Sequence, residues 1–226
     1  MNALYFSGNQ QFEMKPVEPV APQPGEVRLN VAYCGVCGTD VHIYHGAMAQ
    51  RLRLPQVIGH EVSGEIAELG EGVTGWQVGD RVTVRPLQPG AEDASDNEQR
   101  HIGKNLTFIG IDSPGGMQGS WNVPAHTLHR LPPNLSLQLG ALIEPLAVAC
   151  HDVRLGELKS GENAVVIGGG PIGMLIALVA KEKGANVLIS EINPARLALA
   201  GSMGLATVNP KEADLVAAVE AFTGGA

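Results

Sequence analysis

Aromatic side chains are scarce, at 4% of the chain, and only three cysteines occur in 226 residues. With so few rings, a core must be built from Val, Ile, Leu and Ala. Together with 29 glycines, that suits strand-rich α/β packing with many tight turns rather than a helical bundle. An odd set of cysteines, Cys34, Cys37 and Cys150, is not a disulfide framework and points to reduced thiols. No basic cluster is present and the formal net charge is −8, which argues against nucleic acid or an anionic membrane as a partner. No apolar run reaches the roughly 18 residues that a membrane span needs. The opening residues, MNALYFSGNQQFEMK, carry neither the basic lead nor the apolar centre of a secretory signal. A cytoplasmic protein is expected, with length for one large domain or two modest ones.

What is present falls into two grammars. Residues 1–152 read as a β-rich domain. The stretches at 26–32, 62–69 and 81–84 alternate apolar and polar residues as half-buried strands do. Gly70, Gly72 and Gly79 mark turns between them, and four prolines from Pro16 to Pro24 mark an extended lead-in. Residues 89–105 are polar and acidic and read as an exposed loop, after which strand-like pieces return at 106–111 and 120–123. Helical spacing begins at 139–153. From 153 to 226, strands at 163–167, 186–190 and 206–208 alternate with helices at 172–183, 194–203 and 211–222, the pattern of βαβαβ units on a parallel sheet. A doubly wound dinucleotide fold has two such halves, and this stretch supplies the first, so a C-terminally truncated chain is expected.

Gly168-Gly169-Gly170-Pro171-Ile172-Gly173 satisfies G-x-G-x-x-G between a predicted strand and a predicted helix. Gly168 permits the tight turn, Gly170 lets backbone approach a pyrophosphate, and Gly173 lets the helix pack on the strand. Free N–H groups at the helix start would hold the phosphates. Glu191, at the end of the next strand, is placed to hydrogen-bond a ribose 2′-OH. An acid there repels a 2′-phosphate, so NAD is expected over NADP, although Arg196 close by keeps NADP within reach.

The second constellation centres on Val57-Ile58-Gly59-His60-Glu61. Alone, an adjacent imidazole and carboxylate read as a loop histidine beside an unrelated glutamate. Cys37 upstream and Glu144 downstream would complete a set of thiolate, imidazole and carboxylate, the donors of a catalytic zinc with one position open. Cys34 and Cys37 form a CxxC pair, but no second pair exists for a four-cysteine site, and the β-rich setting is not that of a redox dithiol. One ligand from the pair, Cys37, completed by His60, fits better. Cys34 is then a small buried residue of the preceding strand.

Four stretches, CGVCGTDVHIYHG at 34–46, VIGHEVSGEIAELGEGVTGWQVGDRV at 57–82, GALIEPLAVACH at 140–151 and VVIGGGPIGMLIALVAKEKGA at 165–185, resemble the zinc-dependent medium-chain alcohol dehydrogenases, in particular their sorbitol and threonine dehydrogenase branch. The resemblance implies an α/β fold in which a GroES-like β domain precedes a Rossmann domain. It implies Cys37 and His60 as ligands of one catalytic zinc, with Glu61 or Glu144 as the carboxylate. Glu144 stands where many relatives have a second cysteine. Asp40 would fix the His60 tautomer, and Thr39 and His42 would pass the alcohol proton to solvent. His45, His101, His126, His129 and His151 are expected to have no site role. The 89–105 loop holds no cysteine, so no structural zinc is expected. The implied reaction moves a hydride between NAD and a secondary alcohol, a polyol, sugar acid or amino alcohol, in a homo-oligomer (dimer or tetramer). Two rivals are a truncated chain that binds zinc without turnover, and a zinc-free quinone-reductase-like enzyme. The Cys37 and His60 pair disfavours the latter.

Overall fold

A computed structural model describes residues 1–90 and 100–225, so most of the polar loop expected at 89–105 lies outside the described residues. The chain forms two compact units, Met1–Glu144 and Pro145–Ala226.

The first unit opens on a hairpin that sequence patterning did not flag, β1 (Asn2–Gly8) and β2 (Gln11–Pro16). Its turn holds Gly8, Asn9 and Gln10 at positive φ, where glycine and asparagine are the most tolerant residues. β1 also pairs with β4 (Gln56–Val57), which anchors the chain just ahead of His60. The expected strands at 26–32, 62–69, 81–84 and 120–123 are found as β3 (Glu26–Gly35), β5 (Glu61–Leu69), β6 (Arg81–Val84) and β9 (Ser120–Pro124). With β10 (Leu128–Arg130) they make a five-stranded antiparallel sheet in the order β10-β6-β5-β3-β9. Alternate residues such as Val27 and Leu29, or Val82 and Val84, point to one face, as a two-residue period requires, and pack around Trp121.

The strand expected at 106–111 is shorter. After β7 (Leu87–Gln88) its partner β8 is only Thr107–Phe108, because Gly110 at φ 91° turns the chain away. A short helix, α1 (Gly38–Tyr44), was not expected in this β-rich region; its first turn is capped by Asp40, whose Oδ2 accepts the Cys37 N–H at 2.9 Å. The single helix expected over 139–153 is two, α2 (Leu137–Gly140) and α3 (Ile143–Leu155). Pro145 has no N–H to continue the ladder from α2 and instead sits in the first turn of a new helix.

The second unit is a parallel sheet, β11 (Asn163–Ile167), β12 (Asn186–Ser190) and β13 (Ala206–Val208), paired in that order. The helices α4 (Pro171–Glu182), α5 (Pro194–Ser202) and α6 (Leu215–Thr223) alternate with the strands. Ala177, Ala180 and Met174 of α4 meet Val187 and Ile189 of β12 in its core, small residues permitting close approach. α6 starts later than expected because Asp214 caps it, accepting the N–H groups of Val216 (2.8 Å) and Ala217 (3.1 Å). No helix among the described residues is long and apolar enough to cross a membrane.

Candidate functional site

The β3–β5 ladder sets Gly35 opposite Glu61. A Cβ on Gly35 would lie 2.2 Å from Glu61 Oε2, so the carboxylate occupies the space that glycine leaves. Between β4 and β5 the chain turns at Gly59, held at φ 95°. A side chain there would also meet Cys34 Sγ and Met117 Cγ, both at 2.7 Å. That turn delivers His60 and Glu61 into the interior, at 3% and 8% exposure. Cys37 arrives from the other direction, at the start of α1. The donor atoms of Cys37, His60 and Glu61 lie within 4.8 Å of one another, the one such group found among the described residues.

The electrostatics of the group are dominated by burial. Burial pushes the Cys37 thiol up, and the Thr39 N–H and hydroxyl, which hydrogen-bond its sulfur, offset part of that. Burial likewise raises the carboxyls of Glu61 and Asp40, against the opposing pull of His60 on each and of the Cys37 N–H bond to Asp40. Cys34, in β3, is pushed up to about 12, chiefly by burial. His60 Nδ1 and Asp40 Oδ1 are 3.9 Å apart, too far for a hydrogen bond, and both are buried without a partner. Orphaned buried polar atoms carry a penalty of about 1–3 kcal/mol each. A thiol, an imidazole and a carboxylate that converge beside such atoms fit a divalent cation, and a soft sulfur donor favours zinc.

Glu144, half-buried at the start of α3, is raised by burial, pulled down by His60 and pushed up by Glu61. It therefore neighbours the group without being one of the three converging donors. Thr39 is half-buried beside the Cys37 sulfur, and His42 is exposed one turn further along α1. His45, His101, His126 and His129 are exposed, and neither they nor His151 join the donor group. Sequence reading missed two residues here. Gly35 becomes visible only once the strand register is known. Phe108, whose ring stands edge-on to His60 at 5.0 Å, carried no sequence signal at all.

In the second unit, Gly168 sits at φ 99° and turns the chain into α4. Gly170 caps that helix and Pro171 takes its first position. A Cβ on Gly173 would lie 2.0 Å from the Gly168 carbonyl oxygen, so this glycine permits the turn to fold onto its helix. Ile172 is partly exposed at the same helix start. Glu191 is tied into the turn. Its Oε2 accepts the Gly169 N–H at 2.7 Å, and its Oε1 accepts those of Ile192 (2.7 Å) and Asn193 (2.8 Å). The Asn193 and Gly169 bonds hold its carboxyl below the usual range, and Arg196 Nη1 lies 3.6 Å from Oε2.

Residues 23–133 match the alcohol dehydrogenase GroES-like domain. The whole fold superposes on the crystal structure of 2R,3R-butanediol dehydrogenase from Bacillus subtilis with a TM-score of 0.90 and 33% identity, over 99% of this chain and 67% of that one. The chain belongs to the zinc-binding alcohol dehydrogenase family. Within that family it is 53% identical to a 2-dehydro-3-deoxy-L-galactonate 5-dehydrogenase of Pseudoalteromonas atlantica, over 99% of this chain and 66% of that one. A zinc-binding dehydrogenase from Sinorhizobium meliloti, solved with NADP bound, aligns with a TM-score of 0.86 and 31% identity, over 95% of this chain and 63% of that one. The chain thus spans about two thirds of the length of the relatives it matches. As in the family, the β-rich part is GroES-like and the parallel sheet is of the Rossmann type.

Proposed function

We propose that this chain carries the metal and nucleotide machinery of a dehydrogenase that moves a hydride between a secondary alcohol and NAD. The convergence of half-buried Cys37 with buried His60 and Glu61 carries the reading. Zinc, when bound there, supplies a Lewis acid that lowers the pKa of an alcohol hydroxyl. Cys37, His60 and a carboxylate, Glu61 or Glu144, hold it. Asp40 is the carboxyl group that faces the His60 ring and orients it once the 3.9 Å gap between Oδ1 and Nδ1 closes. The Thr39 hydroxyl receives the substrate proton next to the Cys37 sulfur, and His42, exposed on the following turn, hands it to water.

In this reading residues 1–152 hold the metal and residues 153–226 the nucleotide. Gly168, Gly170, Pro171, Ile172 and Gly173 present the start of α4 to the pyrophosphate. Glu191 receives the ribose hydroxyls, and its charge disfavours a 2′-phosphate. Arg196 lies beside it, and NADP, the cofactor bound in the Sinorhizobium relative, is the competitor in this reading. The name of the Pseudoalteromonas relative favours a sugar acid among secondary alcohols. A homo-oligomer completes the proposal.

Metal analysis combined with NAD reduction over a panel of sugar acids, polyols, vicinal diols and amino alcohols tests it. About one zinc per chain and NADH formation with one substrate class are expected. Zinc without hydride transfer to any substrate would instead favour a zinc-binding chain incapable of turnover, and a chain that takes up no zinc would remove the site.

Gly35→Ala separates the two candidate carboxylates. The added methyl displaces the Glu61 carboxylate, a flexible group, and leaves Glu144 where it is. With Glu61 at the metal, zinc affinity should fall by about 10- to 100-fold, read by competition with a chromogenic chelator. Unchanged affinity in this variant, with a loss in Glu144→Gln, would assign the position to Glu144.

A further inference from the structure

We propose that Arg51, Asp112 and Phe108 form a positioning relay that sets the orientation of the His60 ring, an inference that rests on the metal reading above. Buried imidazoles are normally oriented by a hydrogen bond from the nitrogen that does not bind the metal. Here His60 Nδ1 and Asp40 Oδ1 face each other at 3.9 Å, beyond hydrogen-bond distance, so that pair alone does not fix the ring. A ligand ring must still be held within about 10–20° of its working geometry. The Phe108 ring packs against His60 with centroids 5.0 Å apart and planes at 78°, an edge-to-face contact that restricts rotation of both rings.

Phe108 is itself fixed by Asp112. Its N–H donates to Asp112 Oδ2 at 2.8 Å, and its carbonyl accepts the Asp112 N–H at 2.8 Å. The Asp112 carboxylate is in turn clamped by Arg51, with Nε to Oδ1 at 3.0 Å and Nη2 to Oδ2 at 2.6 Å, the two-pronged geometry that gives direction as well as strength. Arg51 follows α1, the helix that begins at the Cys37 sulfur, so the relay ties the two sides of the donor group together. The backbone beneath it is registered on His60 as well. Gly115, Gly116 and Met117 donate to the carbonyls of Val57, Gly59 and Ile58 at 2.7, 2.9 and 3.0 Å. Cβ atoms on Gly110 and Gly115 would collide with the Gly59 carbonyl at 2.8 and 2.3 Å, so no looser fit is available. None of the three relay residues is itself a donor of the converging group.

The test uses the full chain with Co²⁺ in place of zinc, read by its visible ligand-field bands, together with the His60 imidazole resonances of the metal-free protein. Asp112→Asn keeps the shape but loses the charged clamp, and Phe108→Leu removes the ring. Both should bind one Co²⁺ per chain with altered band position and intensity and about tenfold weaker affinity, the low end of the loss expected for an outer partner. The His60 ring signals should shift as the ring current of Phe108 moves away. Phe108→Tyr should restore the parental spectrum. Folded Asp112→Asn and Phe108→Leu proteins with parental Co²⁺ bands and parental His60 signals would overturn the relay. In a parent chain that takes up no Co²⁺ the metal reading fails, and the His60 resonances then decide the relay by themselves.

Discussion

Cys37→Ser is expected to empty the metal site, taking zinc from about one per chain towards none and NAD-linked oxidation down by more than about 100-fold, the loss that disturbing a mere outer partner can reach. Cys37 is the sole thiolate donor of the converging group, and a serine hydroxyl is a far poorer ligand for zinc at neutral pH. The fold should survive, because the residue is only half-buried and its N–H bond to Asp40 belongs to the backbone. Metal analysis beside circular dichroism checks both halves. A serine variant that keeps its zinc and activity would place the metal elsewhere.

The same site makes zinc uptake pH-dependent, with a sign that follows from burial. In the metal-free protein the Cys37 thiol and the Asp40, Glu61 and Glu144 carboxyls are all raised, chiefly by desolvation. The folded metal-free chain therefore binds more protons than the unfolded one above the ordinary carboxylate range, and its stability falls as pH climbs through that window. Zinc must displace such protons, so its affinity should weaken as pH is lowered. A chelator titration between pH 5 and pH 8 should show it, and a flat profile would mean that the donors are already ionised.

The second large effect concerns the nucleotide turn. Gly173→Ala sets a methyl 2.0 Å from the Gly168 carbonyl oxygen and 3.1 Å from its carbon, both backbone atoms that can move only by opening the turn. Overpacking of this kind costs about 1–3 kcal/mol, and NAD affinity should drop at least tenfold with it. Gly170→Ala is the informative partner, since the nearest atom to its new methyl is Arg196 Nη1 at 3.9 Å. Its stability should be parental while NAD binding is lost, because the clash is with the pyrophosphate alone. Calorimetric titration with NAD and a urea melt separate the two variants. Equal NAD binding in Gly170→Ala and the parent would show that the phosphates do not approach this glycine.

Much of this was legible in the residues themselves. The glycine turn announces itself because its geometry demands a missing side chain at Gly168 and Gly173, and Glu191 follows from the end of the next strand. Cys37 and His60 were legible as chemistry, for a thiol and an imidazole with no local use ask for distant partners. Hidden from sequence was whatever depends on register or on packing across the chain. The Gly35–Glu61 pairing needs the β3–β5 ladder, and Phe108 meets His60 across a long stretch of sequence through packing alone. The hairpin of β1 and β2 was missed because all of β2 is exposed and so shows no inward face to alternate. The choice between Glu61 and Glu144 was open in the sequence, and the geometry brings Glu61 to the other donors.

The bonds from Glu191 to Gly169, Ile192 and Asn193 have a consequence for redesign. In the proposed function that carboxylate reads the ribose, yet it is also a brace for the turn that would carry the phosphates. Replacing it to admit a 2′-phosphate would slacken the very loop on which either cofactor must rest. A switch of cofactor in this chain would have to supply a new acceptor for the Gly169 N–H before adding positive charge beside Arg196, so selectivity and scaffold must be rebuilt in the same step.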